Sequence, residues 1–398
     1  MVSLADIEAA AARIAGSVLR APLVYSDALS RATGAKIYLK LENLQATGAF
    51  KERGAANRIA LLSAEERARG VVAMSAGNHA QAVARHAQLA GITATIVMPR
   101  FTPITKVTRT QAWGAEVVLH GETLAEAAEH AHALAAKHGL VFIHPYDDPG
   151  IIAGQGTMAL EVIEDVPDLD TLIVPTGGGG FVSGCALAAR TKRPGLEVLG
   201  AEVEAYSSFA QALSGRPIDV GGATIAEGIA VRDIGKLPLA ILRDLGTEVL
   251  IVPEAVVEQA IALLVEGGKV VAEGAGATGL GAVLAFPRRF AGKKVALPVC
   301  GGNIDARILA NTLLRNLLRD GRLLRVLMEI PDRPGVLADI AARIGDQGGN
   351  IIEVVHQRLF ASPTVQAANL EVMVEARDAE HGNAIACALE EVYTVKRI

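Results

Sequence analysis

Cysteine is scarce in this chain of 398 residues: Cys185, Cys300 and Cys387 lie far apart, with no Cys-x-x-Cys spacing. This argues against both a disulfide framework and structural zinc, and makes a reducing cytoplasm the default expectation. A basic excess is missing too. The formal net charge is −5 and the pI is near 6.0, which offers nucleic acid no electrostatic footprint. No stretch reaches the roughly 18 consecutive apolar residues that a membrane helix needs. The first residues carry Asp6 and Glu8 but neither a basic n-region nor an apolar core, so no secretion signal is expected. Neither common nucleotide loop is present: there is no Gly-Lys-Ser/Thr of a Walker loop, and no Gly-x-Gly-x-x-Gly with an acid after the next strand.

Hydrophobic residues make up 51% of the chain and charged residues 20%, the balance of a globular protein of about two to three domains. Residues 36 to 300 alternate short apolar runs with amphipathic stretches. That pattern predicts an α/β architecture of parallel sheets with helices on both faces. Strands are expected at 36–42, 70–74, 94–98, 116–119, 141–143, 171–175, 197–202, 248–252 and 295–299. Helices are expected at 4–15, 124–138 and 255–265.

Four segments carry chemistry. Lys51 stands in Thr47-Gly48-Ala49-Phe50-Lys51-Glu52-Arg53-Gly54-Ala55, after a strand and at a helix start. The positive end of a helix dipole disfavours an ammonium ion there and favours a nucleophilic amine suited to a Schiff base. The ordinary alternative is a solvated lysine on a surface helix. Gly177-Gly178-Gly179-Gly180, with Phe181, joins a buried strand to a small-residue helix. Such a loop brings several N–H groups to one anion, as a phosphate needs, though a tight structural turn would use the same residues. Met74-Ser75-Ala76-Gly77-Asn78-His79 offers hydroxyl, amide and N–H donors to a carboxylate, or else Ser75 and Asn78 simply cap a helix. Val299-Cys300-Gly301-Gly302-Asn303 ends a strand at the sheet edge where ligands bind in such folds.

In this order the segments resemble the pyridoxal-phosphate enzymes of the tryptophan-synthase-β fold type, specifically the threonine dehydratase (threonine ammonia-lyase) and serine racemase family. The resemblance runs over essentially the whole chain. It implies a two-lobed fold type II enzyme, with a smaller lobe at about 48–145 and pyridoxal 5'-phosphate in the cleft. By the same resemblance Lys51 would carry the cofactor, Phe50 would sit beside its ring, and Asn78 would bond its phenolic oxygen. Gly177, Gly178, Gly179, Gly180 and the N–H of Phe181 would hold the phosphate. Ser75, Asn78 and His79 would meet the substrate carboxylate. Cys300 would face the pyridine nitrogen, where the family commonly has serine; a buried structural thiol is the alternative. At Ala76 serine racemases carry a hydroxyl residue, so dehydration is expected over racemisation. Glu202 and Glu204 lie near a divalent-metal site known in part of the family, but no clear second carboxylate follows at Tyr206-Ser207-Ser208, so a divalent metal is unsupported and a monovalent ion stays open.

The texture changes after residue 318. A charged link at 319–321 leads into a β-α-β-β-α-β pattern over 322–398: strands at 323–330, 351–359, 366–374 and 392–397, helices at 335–344 and 379–390. This order predicts a ferredoxin-like sandwich. With Asp332-Arg333-Pro334-Gly335 and Gly349-Asn350-Ile351 it resembles an ACT domain, an amino-acid-sensing module. The resemblance implies an effector site at Gly335 and Asn350, a branched-chain amino acid as effector, and a homo-oligomer, tetramer or dimer. A plain dimerisation module is the alternative.

The function implied by the whole is a pyridoxal-phosphate L-threonine ammonia-lyase, giving 2-oxobutanoate and ammonia, with pyruvate from serine. Rivals are an L-serine or 3-hydroxyaspartate dehydratase, a serine racemase, and an amino-acid-sensing protein on a decayed enzyme fold.

Overall fold

The computed structural model describes residues 2–358 and 367–398, in two compact units, Met1–Ile304 and Asp305–Ile398. The first begins with the helix Leu4–Ile14, capped by Ser3 and Asp6 acting reciprocally. Strand β1 (Leu23–Ser26) then pairs antiparallel with β2 (Lys36–Lys40). The antiparallel edge departs from the all-parallel expectation. So does the end of β2, which stops at Lys40, because Glu42 turns inward in a 3-10 segment to meet Arg53 at 2.7 Å.

The chain leaves this sheet through the helix Lys51–Ala60 and builds a second one from β3 (Val71–Met74), β4 (Ala94–Met98), β5 (Glu116–Leu119) and β6 (Val141–Phe142). Their order is β5-β4-β3-β6, all parallel. Every residue of β4 is buried, which explains a continuous apolar run where a one-sided strand would alternate. The helix Pro149–Asp165 leads back to β7 (Thr171–Pro175), β8 (Glu197–Val203), β9 (Val249–Val252) and β10 (Lys294–Pro298). Together with the first two strands these form a six-stranded sheet in the order β1-β2-β10-β7-β8-β9. Placing β10 between β2 and β7 brings residues near 50, 177 and 300 to one edge of this sheet. The expected helix at 255–265 is observed as Glu254–Leu263, and a π-helical segment, Leu264–Gly268, continues it.

The second unit opens with the helix Ala306–Arg319. The sequence assigned residues through 318 to the catalytic domain, but this helix clusters with the C-terminal unit. It runs through a tight turn, with Arg322 N–H donating to Leu317 O at 2.9 Å, straight into the next strand. That strand is β11 (Leu323–Pro331), followed by the helix Val336–Asp346, β12 (Asn350–Gln357), β13 (Ala367–Glu375), the helix Ala379–Glu390 and β14 (Thr394–Arg397). The antiparallel order β12-β13-β11-β14 is that of a ferredoxin-like sandwich. Val326, Met328, Ile340, Leu370 and Ile385 form its core. The expected strand ends at Leu359 and Gln366 lie outside the described residues. Among the described residues no helix is long and apolar enough to cross a membrane.

Candidate active site

Lys51 is the first residue of its helix, and the strand end beyond β10 fixes its place. Ala49 bridges Gly301, Phe50 N–H donates to Cys300 O at 2.9 Å, and Gly302 N–H donates to Gly48 O at 3.0 Å. Gly48 has φ +75, and a Cβ there would sit 2.8 Å from Asn303, so glycine is required by both conformation and space. The amine of Lys51 donates to Pro145 O at 2.9 Å and lies 5.2 Å from the Phe50 ring centre. Burial holds its pKa down to about 8, against the pull of Cys300 and Glu273. The lysine is thus far closer to a neutral nucleophile than a solvated one.

The glycine loop follows β7. Gly179 is in the left-handed region at φ +91 and caps the helix Gly180–Lys192. The N–H groups of Gly177 to Phe181 find no acceptor in the protein. A Cβ at Gly178 would meet the Tyr146 ring at 2.2 Å, and one at Gly180 would meet Tyr146 O at 2.7 Å. The residues therefore fit a phosphate: five free donors at a helix N-terminus in a cradle no side chain could share. Phe181 stacks on Phe50, with ring centres 4.0 Å apart, so the glycine loop and the lysine turn touch.

The helix Asn78–Leu89 is capped by Gly77 without a side-chain bond, contrary to a capping role for Ser75 or Asn78. Ser75 Oγ accepts from Gly77 N–H at 3.1 Å, which leaves its own proton to give. Asn78 donates to Glu273 Oε1 at 2.8 Å and accepts from Asn303 Nδ2 at 2.8 Å. His79 is buried, its Nε2 bonded to Ile143 O at 2.9 Å and its Nδ1 without a partner. Burial, with Lys51 adding to it, pushes its pKa down to about 3. A neutral ring with its one N–H already spent has no donor for a carboxylate. His79 can therefore reach a carboxylate only through its backbone N–H, which stands in the first turn of the helix.

Cys300 is buried and its thiol pushed up by burial and by Glu273, so it stays an S–H donor. Glu202 is spent on the N–H groups of Phe209 and Ala210, at 2.8 and 3.0 Å. Among the described residues no three His, Cys, Asp or Glu side chains gather as metal ligands would. In the second unit Gly335 caps the helix Val336–Asp346 at φ +93, and Asn350 at its far end donates to Glu375 at 3.1 Å. Sequence reasoning overlooked Glu273, Pro145 and Tyr146. A signal for the first existed: an acid directly before the small-residue run Gly274-Ala275-Gly276-Ala277.

Residues 14–301 match the family model described as "Pyridoxal-phosphate dependent enzyme". The chain is 44% identical over 383 residues to an L-threonine ammonia-lyase of Thermotoga maritima, covering 96% of this chain and 95% of that protein. Among solved structures it resembles the processed form of threonine deaminase isoform 2 from Solanum lycopersicum, at 32% identity and TM-score 0.75 over 79% of this chain and 87% of that one. Maize serine racemase is similar at 37% identity and TM-score 0.74, over 80% and 98% of the two chains.

Proposed function

The chain belongs to the pyridoxal-phosphate dependent enzymes, and we propose that within this family it is an L-threonine ammonia-lyase, converting L-threonine to 2-oxobutanoate and ammonia, and L-serine to pyruvate. The observation that carries the reading is the Lys51 amine, its pKa near 8, set against Phe50 and Cys300 beside a loop of free N–H donors.

When bound, pyridoxal phosphate supplies a carbonyl for the substrate amine and a ring that accepts electrons from Cα. The chain's residues do the rest. Gly177 to Gly180 and the Phe181 N–H would hold the phosphate, and the Cys300 S–H would serve the ring nitrogen as a weak, neutral donor. Ser75 Oγ and the N–H groups of Asn78 and His79 hold the carboxylate. Lys51 takes the Cα proton as general base. Ala76, next to the carboxylate donors, offers no proton from the other face, and loss of the β-hydroxyl therefore prevails over racemisation. That methyl group separates this chain from the racemase reading, which the similarity to maize serine racemase otherwise favours.

The second unit is read as an ACT module that senses a branched-chain amino acid near Gly335 and Asn350 and pairs with another copy. Its four-stranded sheet has β12 at one edge, with Ile352 and Val354 exposed, the kind of edge that assembly covers. The test is ammonia release across threonine, serine and 3-hydroxyaspartate, with and without isoleucine, valine and leucine. Turnover of threonine above the others supports the reading. Preference for 3-hydroxyaspartate, or D-serine formation without ammonia, rejects it, and indifference to every amino acid other than substrate reduces the second unit to an assembly device.

A further inference from the structure

Glu273 stands at the cap position of the helix Gly274–Ala285 but gives that helix no side-chain bond. It reaches into the cleft instead. Its backbone N–H donates to Gly301 O at 3.0 Å, and its Oε1 accepts from Asn78 Nδ2 at 2.8 Å. Gly301 makes room for it: a Cβ there would lie 2.4 Å from Oε1. At the other end of the same amide, Asn303 Nδ2 donates to Asn78 Oδ1 and to Thr47 O, each at 2.8 Å. Both ends of Asn78 are thereby specified. Turning the amide over would set its oxygen against a carboxylate oxygen and its NH2 against another NH2. In the orientation observed, one amide hydrogen goes to Glu273, the oxygen is occupied, and one hydrogen is left. The hydrogen that is left can serve only an acceptor atom of a ligand.

We propose that Glu273 is a positioning residue, whose carboxylate holds the Asn78 amide so that its remaining N–H is reserved for an anionic oxygen of the bound cofactor. This rests on the pyridoxal-phosphate reading above. Glu273 is well placed to report on that contact. Burial raises its pKa to about 7, with the Asn78 bond, Lys106 and the Asn303 N–H opposing and Glu227 adding to the rise. Lys51 and Cys300 feel its charge as well. Protonation below about pH 7 weakens an acceptor that is strongest when ionised, so the grip on Asn78 loosens as pH falls through that value.

The experiment compares the full-length protein with Glu273→Gln and Glu273→Ala, measuring the dissociation constant of pyridoxal phosphate and the visible spectrum of the loaded protein from about pH 5.5 to about pH 8.5. Glu273→Ala should bind the cofactor roughly tenfold more weakly at about pH 8. Glu273→Gln keeps an acceptor oxygen of the same shape. It should bind within about threefold of the parent, yet lose the change in affinity and spectrum that the parent shows near pH 7. An unchanged transition in Glu273→Gln, or parental affinity in Glu273→Ala, overturns the assignment while leaving the enzyme reading intact. A parent protein that takes up no pyridoxal phosphate overturns both.

Discussion

The two halves of the candidate site are held in place by opposite means. The lysine turn is gripped by buried charge. Arg53, beside Lys51, bonds Glu42 at 2.7 Å and Glu161 at 2.6 Å, and Lys40 meets the same Glu161 at 2.6 Å. Glu52, next to Lys51, accepts from Arg85 at 2.7 Å and contacts His86 at 3.2 Å, tying the lysine helix to the helix that carries Asn78 and His79. The glycine loop has no such network. It is held by contact: Tyr146 fills the space beside Gly178 and Gly180, and Phe209 and Pro238 the space beside Gly179. A lysine that must exchange its bond partner gains from directional restraints on its neighbours. A loop proposed to cradle a phosphate must keep its N–H groups free, which leaves packing and its carbonyls to fix it, as where Gly178 O accepts from Gly235 N–H at 3.1 Å.

Removing the chemical group is the severest way to separate the halves. Lys51→Ala should lower turnover at least about thousandfold, while the packed half still binds the phosphate of the cofactor; turnover within tenfold of the parent would exclude Lys51 as the reactive amine. Arg53→Met strikes the charged half alone. It leaves Glu42, fully buried, without its ion-pair partner, and should cost about 3 to 5 kcal/mol in denaturant unfolding. Gly179→Ala strikes the packed half. A Cβ at φ +91 would lie 2.2 Å from the Phe209 ring, a cost of about 2 to 4 kcal/mol, and cofactor affinity should fall with it. If Arg53→Met proved harmless, the charge network would be ornament and the comparison would fail.

Milder changes sharpen it. With the Lys51 pKa held at about 8 by burial, the neutral fraction grows as pH rises, and the rate of cofactor capture should increase roughly tenfold from about pH 7 to about pH 9. The sign follows from deprotonation of an amine and the size from its lowered pKa; a rise of about a hundredfold, as an ordinary lysine would give, or capture that slows would contradict it. Smallest in size is Ala76→Ser, which puts a hydroxyl at the proposed second-face position and should add measurable D-serine formation from L-serine, read by chiral chromatography.

What could be read in the sequence was whatever lies contiguous in it. Lys51 with its flanking residues and the run Gly177 to Gly180 are unbroken strings, and the alternation of strands and helices marked the sheets. The antiparallel edge β1 was not legible as a strand direction, since the four residues Leu23-Val24-Tyr25-Ser26 carry no signal of direction. Glu273, Pro145 and Tyr146 are distant in sequence from the other site residues and meet them only in the fold, Glu273 through the Gly301 carbonyl beyond β10 and the other two beyond β6 of the second sheet. The ring of His79 illustrates the converse: its motif was plain, but burial and the Ile143 carbonyl decide what it can donate.

The most direct test of the central claim is borohydride reduction of the protein loaded with pyridoxal phosphate, followed by peptide mass spectrometry. The account predicts loss of the visible absorbance and a reduced cofactor attached to the peptide that contains Lys51. Attachment at any other lysine, or no attachment in a protein that still releases ammonia from threonine, would contradict it.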